Sequence, residues 1–171
     1  NLITQEGIRG DEESPALTQS IYTLYNRMIC GAGDNTNCYF AERVSTKMGG
    51  LAAQLAKRVA IYSPWQFVFW YDRPEKAPSR AGGAGSTESV IKTDALTAFY
   101  CSIPTVWDDT RFCEGDMDSY AVVARRSGSD WYVSVLNAGD KRRVTVPVAE
   151  WLPQAVRYKA MWYHQPGNKK D

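Results

Sequence analysis

The densest group of charged side chains in this chain of 171 residues lies at residues 6–13. Glu6 and Glu12 flank Arg9 and two glycines, which allow a tight backbone turn. Neighbouring carboxylates push one another's pKa values apart, so one can stay ionised while another keeps its proton as an acid. Glycoside hydrolysis and calcium binding both use such groups, and Arg9 is a candidate substrate contact. The alternative is a solvated acidic start to the next helix.

Helical patterns follow this acidic loop and would position it. Apolar residues at helical spacing predict one helix over residues 14–31 and a second over 48–60, in which Lys57 and Arg58 turn outward. The polar residues 33–37 predict a loop between the two helices.

A strand and a long loop are predicted next. The continuous apolar run at 67–70 is typical of a strand buried on both faces in a parallel sheet, so Trp65 and Trp70 are expected in the core. Asp72 follows this strand and is a candidate sugar contact, with a structural pair to a neighbouring base as the alternative. Residues 73–85 are poor in large apolar side chains and predict a loop.

The pattern changes after a short helix that Pro104 ends. Short runs of alternating apolar and polar residues, separated by turn signals, indicate antiparallel strands. We therefore predict two parts, an α/β part at 1–103 and a small antiparallel β-sandwich-like domain at 104–171. The predicted strands cover residues 120–126, 131–136, 142–146 and 156–163.

Composition excludes several classes of protein. A net charge of +1 gives no global field for attracting nucleic acid, and the longest apolar stretch is far short of the roughly 20 residues that span a bilayer. The chain is too short for a complete (β/α)8 barrel of about 250 residues, and its start at Asn1 within an apolar run indicates a cut chain.

The cysteines and the single histidine, His164, do not have the spacing of a zinc site, and the pattern places His164 on the surface. Free buried thiols are favoured, and one or two disulfides in an exported protein are the alternative. The cysteines are Cys30, Cys38, Cys101 and Cys113.

Several motifs resemble those of glycoside hydrolase family 97. Residues 1–12 are similar to the family signature, in which Asn-Leu-x-Thr leads into x-Glu-Gly-x-Arg-Gly-x-Glu. The other similar segments follow in the family's order and extend the resemblance over nearly the whole chain. They lie at residues 27–28, 53–56, 62–64, 106–111 and 120–126.

This resemblance implies a fold, an activity and partners. Family members have a β-sandwich, a central (β/α)8 barrel and a small C-terminal β domain, so residues 1–103 would be the C-terminal end of the barrel. The family hydrolyses α-glucosides or α-galactosides with the help of calcium. By matching positions, Glu6 would bind calcium and Glu12 would be the general acid, while the partner carboxylate would lie upstream of Asn1.

The resemblance also implies an oligosaccharide or glycoside substrate, the rest of the catalytic domain upstream, and a periplasmic or secreted location in a bacterium. The chain alone would hold at most half of the two-carboxylate machinery and is expected to be inactive. The rival hypothesis is a non-catalytic β module that serves as a scaffold or a carbohydrate-binding piece.

Overall fold

A computed structural model describes five stretches of this chain. Within them, no helix is long and apolar enough to cross a membrane. The described stretches are residues 16–37, 49–68, 72–74, 89–91 and 95–164.

The first predicted helix is confirmed. Helix α1 (Ala16–Tyr22) continues into a π-helical turn at Thr23–Arg27 and a 3-10 turn at Met28–Cys30. It ends at Gly31, whose φ of 117° is a backbone conformation that side-chain-bearing residues rarely adopt.

Helices α2 (Gly50–Ala60) and α3 (Ala95–Ser102) also confirm predictions. The expected outward orientation of Lys57 and Arg58 is wrong, because both side chains are buried. Helix α2 packs against the antiparallel sheet and, through Leu55, against α3, so its last turn has little surface left for solvent.

Strands β1 (Asp34–Asn37) and β2 (Trp65–Val68) pair in parallel, with Asp34 opposite Trp65. Together with α2 they form a βαβ unit, which confirms the predicted parallel pairing. The loop predicted at 33–37 is wrong, because pairing with β2 gives these polar residues a strand conformation that their propensity does not favour. Trp65 is 57% exposed rather than in the core, since it is the first residue of β2.

A second parallel pair joins β3 (Asp72–Pro74) to β4 (Ser89–Ile91). The loop predicted from residue 73 onward is therefore wrong at its start, where backbone pairing continues through Pro74. Trp70 and residues 75–85 lie outside the described stretches.

The largest sheet has three antiparallel strands in the order β5 (Asp109–Asp116), β6 (Tyr120–Ser127) and β7 (Asp130–Asn137). Strands β6 and β7 confirm the prediction, whereas β5 is an addition to it. The register of β5 shifts between Phe112 and Glu114, a bulge that weakens its alternating pattern.

The strands predicted at 142–146 and 156–163 do not form. In the first segment the amide of Thr145 donates to Oε2 of Glu114 over 3.3 Å, a side-chain contact rather than a strand ladder. The second has an alternating pattern but no paired strand beside it among the described residues. The sheet is consequently not the expected sandwich, and helices rather than a second sheet cover one of its faces.

The core lies between this sheet and the helices. Side chains of α1, α2, β6 and β7 meet there, and each large apolar side chain contributes about 1.5–3 kcal/mol by leaving water. Because these elements come from both sides of the predicted boundary at residue 103, the helices and the sheet share one core. Its buried apolar members are Ile21, Leu24, Ala60, Ala121, Val123 and Leu136.

Candidate functional site

Three of the four predicted site residues, Glu6, Arg9 and Glu12, lie outside the described stretches. Asp72 is the first residue of β3, and its backbone lies opposite Ser89 of β4. Their roles in catalysis, substrate binding and calcium binding therefore stay predictions.

The structure describes three of the four cysteines and the single histidine. Cys30, Cys101 and Cys113 are free, and the first two are exposed rather than buried as expected. His164 is exposed, as predicted. Cys38 is not among the described residues, which contain no group of three or more His, Cys, Asp or Glu side chains able to hold a metal ion.

A buried arginine joins the sheet to the end of α2. Arg125 is 6% exposed, and its Nη2 donates to the carbonyl oxygen of Ala60 over 2.9 Å while Nη1 donates to Thr110 Oγ1 over 2.9 Å. Burial lowers its pKa to about 10. The guanidinium carbon lies 5.8 Å from the ring centre of Tyr62 and 5.9 Å from that of Trp107. A cation here complements the negative end of the α2 dipole.

A second buried arginine does the same for α3. Arg58 donates from Nε to the carbonyl oxygen of Tyr100 over 3.1 Å and from Nη2 to that of Ile103 over 2.9 Å. Its guanidinium also lies 4.5 Å from the centre of the Tyr100 ring. These carbonyls lie at or just beyond the C-terminal end of α3, and that of Tyr100 also accepts from the amide of Ile103 over 3.3 Å. Two successive helices thus end at an arginine supplied by another element.

Sequence reasoning missed both arginines, although one had a readable signal. Arg125 follows Ala121 and Val123 at intervals of two, so all three side chains point to the same face of β6. Since that face is the core face, a buried arginine could have been predicted there. Arg58 gave no comparable signal, because its acceptors lie on a helix more than forty positions away in sequence.

A row of aromatic rings connects the last described residues to the sheet. The rings of Tyr163 and Phe99 stack with centres 4.1 Å apart and an interplanar angle of 12°. Phe99 stacks in turn near Tyr132 of β7 at 6.5 Å, and Trp107 meets Tyr132 edge-on at 5.3 Å. This aromatic row fixes the position of Tyr163 relative to α3 and β7.

An open groove of ≈ 420 Å³ lies beside this row. The described residues that line it include no carboxylate and no amide side chain, the acceptors that sugar hydroxyls need. Trp162 borders it and is 81% exposed. The groove suits apolar contact better than sugar binding. It is lined by Leu51, Ala52, Leu55, Leu96, Trp162, Tyr163 and His164.

Comparisons with known proteins agree with this arrangement. Residues 106–171 match the family model described as "Glycosyl-hydrolase 97 C-terminal, oligomerisation". The match begins just before β5, so it includes the whole antiparallel sheet and the segment that borders the groove.

Relatives extend the similarity to earlier residues. The chain is 28% identical to a retaining alpha-galactosidase of Bacteroides thetaiotaomicron, over 85% of this chain and 22% of that protein. It is 27% identical to a probable retaining alpha-galactosidase of Streptomyces bingchenggensis, over 91% of this chain and 23% of that protein. The crystal structure of a beta-arabinopyranosidase matches with a TM-score of 0.53 at 25% identity, over 73% of this chain and 19% of that one.

The class that these matches define is that of the glycoside hydrolases. Within it, residues 106–171 match the C-terminal model of glycoside hydrolase family 97, and the two relatives support the resemblance of this chain to the C-terminal region of that family. It spans less than a quarter of the length of the two curated relatives.

Proposed function

We propose that the chain is the C-terminal region of a glycosidase that cleaves α-galactosides with retention of configuration. Residues 1–103 would complete the end of a (β/α)8 barrel, and residues 106–171 would join copies of the enzyme into an oligomer. The observation that carries the proposal is the similarity to two proteins named retaining alpha-galactosidases along most of this chain. An α-glucoside is the alternative substrate.

The proposed chemistry assigns the proton donor to Glu12. Its carboxylic acid would give a proton to the glycosidic oxygen as the bond from that oxygen to the anomeric carbon breaks, which releases a neutral alcohol. A second carboxylate, outside this chain, would attack the anomeric carbon from the other face. Water, deprotonated by Glu12, would then release the sugar.

Arg9 and Asp72 are proposed to contact the sugar. An arginine donates hydrogen bonds in a fixed planar fork, and a carboxylate accepts them from hydroxyls, so the pair would orient the ring before proton transfer. Asp72 is proposed because it follows β2 in the sequence, and the segments after the carboxyl ends of parallel strands carry the active sites of α/β barrels.

Calcium is proposed as the metal, with Glu6 as one ligand. A carboxylate oxygen suits this hard cation, and bound calcium would supply positive charge that orients the sugar. The rest of the ligand set would come from residues outside the described stretches. We also propose that the enzyme acts in the periplasm or outside the cell, where glycoside substrates reach it.

The test is hydrolysis by the full-length protein that carries this chain. Purified enzyme with calcium should cleave 4-nitrophenyl α-galactoside faster than the α-glucoside, and Glu12→Gln should lower kcat/KM for methyl α-galactoside, whose leaving alcohol is weakly acidic, by about 100-fold or more. Asp11→Asn is the matched control, since it removes a neighbouring carboxylate at a position the family signature leaves free. Equal effects of the two substitutions, or no activity on either substrate, would overturn the proposal.

A scaffold role for the isolated chain is the second candidate. It is favoured by the shared core and the two arginine-capped helix ends, which position elements rather than reacting atoms. An isolated chain that unfolds cooperatively and lacks hydrolytic activity would fit this role.

A further inference from the structure

Four exposed large apolar side chains of the described structure lie close together in residues 156–162, which we call the terminal segment. Met161 and Trp162 are 65% and 81% exposed, and Val156 and Tyr158 are exposed as well. Large apolar side chains grouped on a surface mark a site of contact with another molecule. The groove beside Trp162 extends this apolar surface.

The terminal segment has the sequence pattern of a strand without a strand partner. Apolar and basic residues alternate from Val156 to Ala160, with Arg157 and Lys159 between them. No strand pairs with this segment in the part of the chain that is described. A segment of this kind can complete its backbone hydrogen bonds by lying along an exposed sheet edge.

Strand β7 offers such an edge. It lies at the end of the order β5-β6-β7, so among the described strands it has a neighbour on one side only. Val133 and Val135 of β7 are exposed. Asp130 at its start and Asp140 just beyond its end are exposed acidic residues, which complement the two basic residues of the terminal segment.

The terminal segment is held close to its own β7. Tyr163, which follows it directly, stacks on Phe99, and Phe99 lies against Tyr132 of β7. The apolar segment therefore ends close to β7, the strand with the open edge. A surface that carries both halves of a complementary pair can bind its own copy about a two-fold axis, each half meeting the other.

We propose that the terminal segment adds as a strand to the edge of β7 in a second copy of this chain, with the reciprocal contact formed by symmetry. This inference rests on the proposed oligomer and names its surface. Because stacking on Phe99 already fixes Tyr163, less conformational entropy is lost when two copies associate. Trp162 is an exposed aromatic side chain of the type that contributes most of the binding energy in interfaces. Further contacts are needed to reach the roughly 800 Å² per partner of a stable interface.

The experiment measures the molar mass of the full-length protein by sedimentation over a concentration series. Met161→Lys and Val135→Lys should each raise the dimer dissociation constant by a factor of roughly 30 or more, because each buries an unpaired charge in the interface. Met117→Lys is the matched control. Met117 is also exposed, but it lies in the β5–β6 turn, and the dimer should be unaffected. An unchanged circular dichroism spectrum of each variant shows that its fold is intact.

The outcomes separate the two proposals. A wild-type protein that is monomeric at every concentration would refute the proposed oligomer. A wild-type oligomer that survives both Met161→Lys and Val135→Lys would overturn the docking surface while leaving oligomerisation in place. Dissociation by Met161→Lys but not by Val135→Lys would overturn the pairing with β7.

Discussion

The guanidinium of Arg125 donates a hydrogen bond of 2.9 Å to the carbonyl oxygen of Ala60, the last residue of α2. A carbonyl at a helix end has no partner within the helix, and a buried one is costly when left unpaired. Arg125 therefore links the last residue of the helix in the βαβ unit to β6, the middle strand of the antiparallel sheet. This contact is a direct link between the two parts predicted from the sequence.

Replacing Arg125 should weaken the fold more than replacing its neighbour. Arg125→Met keeps much of the side-chain volume but leaves the carbonyl of the buried Ala60 without a donor, so we expect a loss of about 2–3 kcal/mol in the free energy of unfolding. Arg126→Met is the control, because Arg126 forms an exposed ion pair with Asp108 at 3.5 Å. Its loss should be below about 1 kcal/mol. Urea unfolding measures both, and equal losses would contradict the role of Arg125.

A partly buried tyrosine that packs against the core should make stability fall at alkaline pH. Burial, and then the charges of Asp116 and Tyr120, raise the pKa of Tyr25 above its ordinary value. The folded state therefore holds this proton more tightly than the unfolded state. Its contribution is complete below pH 10, the ordinary tyrosine value, and is lost as the pH rises through the higher folded-state pKa.

Tyr25→Phe removes this titrating group. At neutral pH its free energy of unfolding should change by about 1 kcal/mol or less, because the hydroxyl donates only a long bond of 3.4 Å to the Tyr120 carbonyl. Above pH 10 the variant should lose stability less steeply than the wild type. Unfolding curves at stepped pH values measure the slope. A variant as steep as the wild type would show that the alkaline loss has another origin.

The cysteines should differ in reactivity. Burial raises the pKa of the Cys113 thiol, which lowers its thiolate fraction, whereas Cys30 and Cys101 are exposed. Alkylation by iodoacetamide near neutral pH should therefore modify Cys30 and Cys101 well before Cys113. Peptide mass spectrometry over a time course measures the order. Denaturant should remove the difference, and early modification of Cys113 in the native protein would contradict its placement.

The sequence predicts the elements whose signals are local. The helices over 14–31 and 48–60 and the strands over 120–126 and 131–136 all form, because the spacing of their apolar residues is set within each element. The parallel pairing of β2 is predictable for the same reason. A continuous apolar run indicates a strand whose two faces are both buried.

The errors concern features that depend on distant partners. Residues 33–37 form a strand only because β2 lies beside them, and residues 156–163 lack a strand because none lies beside them in the described chain. Arg58 is buried because α3 presents carbonyl oxygens to it. Trp65 is exposed because it stands at a strand end. The local sequence pattern of a segment does not show which other elements will lie beside it.

Only the residue types of the candidate site, and not its geometry, could be predicted from the sequence. Residue types and the family resemblance predict Glu6, Arg9, Glu12 and Asp72 as site residues, yet spacing alone cannot give the distance between any two of these side chains. The groove beside Trp162 was not predicted, because its lining comes from two helices and the last described residues.

The central claim is that Glu12 is the proton donor of a galactoside hydrolase, and its most direct test is the dependence of Glu12→Gln on the leaving group. A donor matters most when the departing alcohol is weakly acidic and least when it leaves readily as an anion. In the full-length enzyme, kcat/KM for methyl α-galactoside should fall by about 100-fold or more, and that for 2,4-dinitrophenyl α-galactoside by less than about tenfold. Equal losses on the two substrates would contradict the assignment.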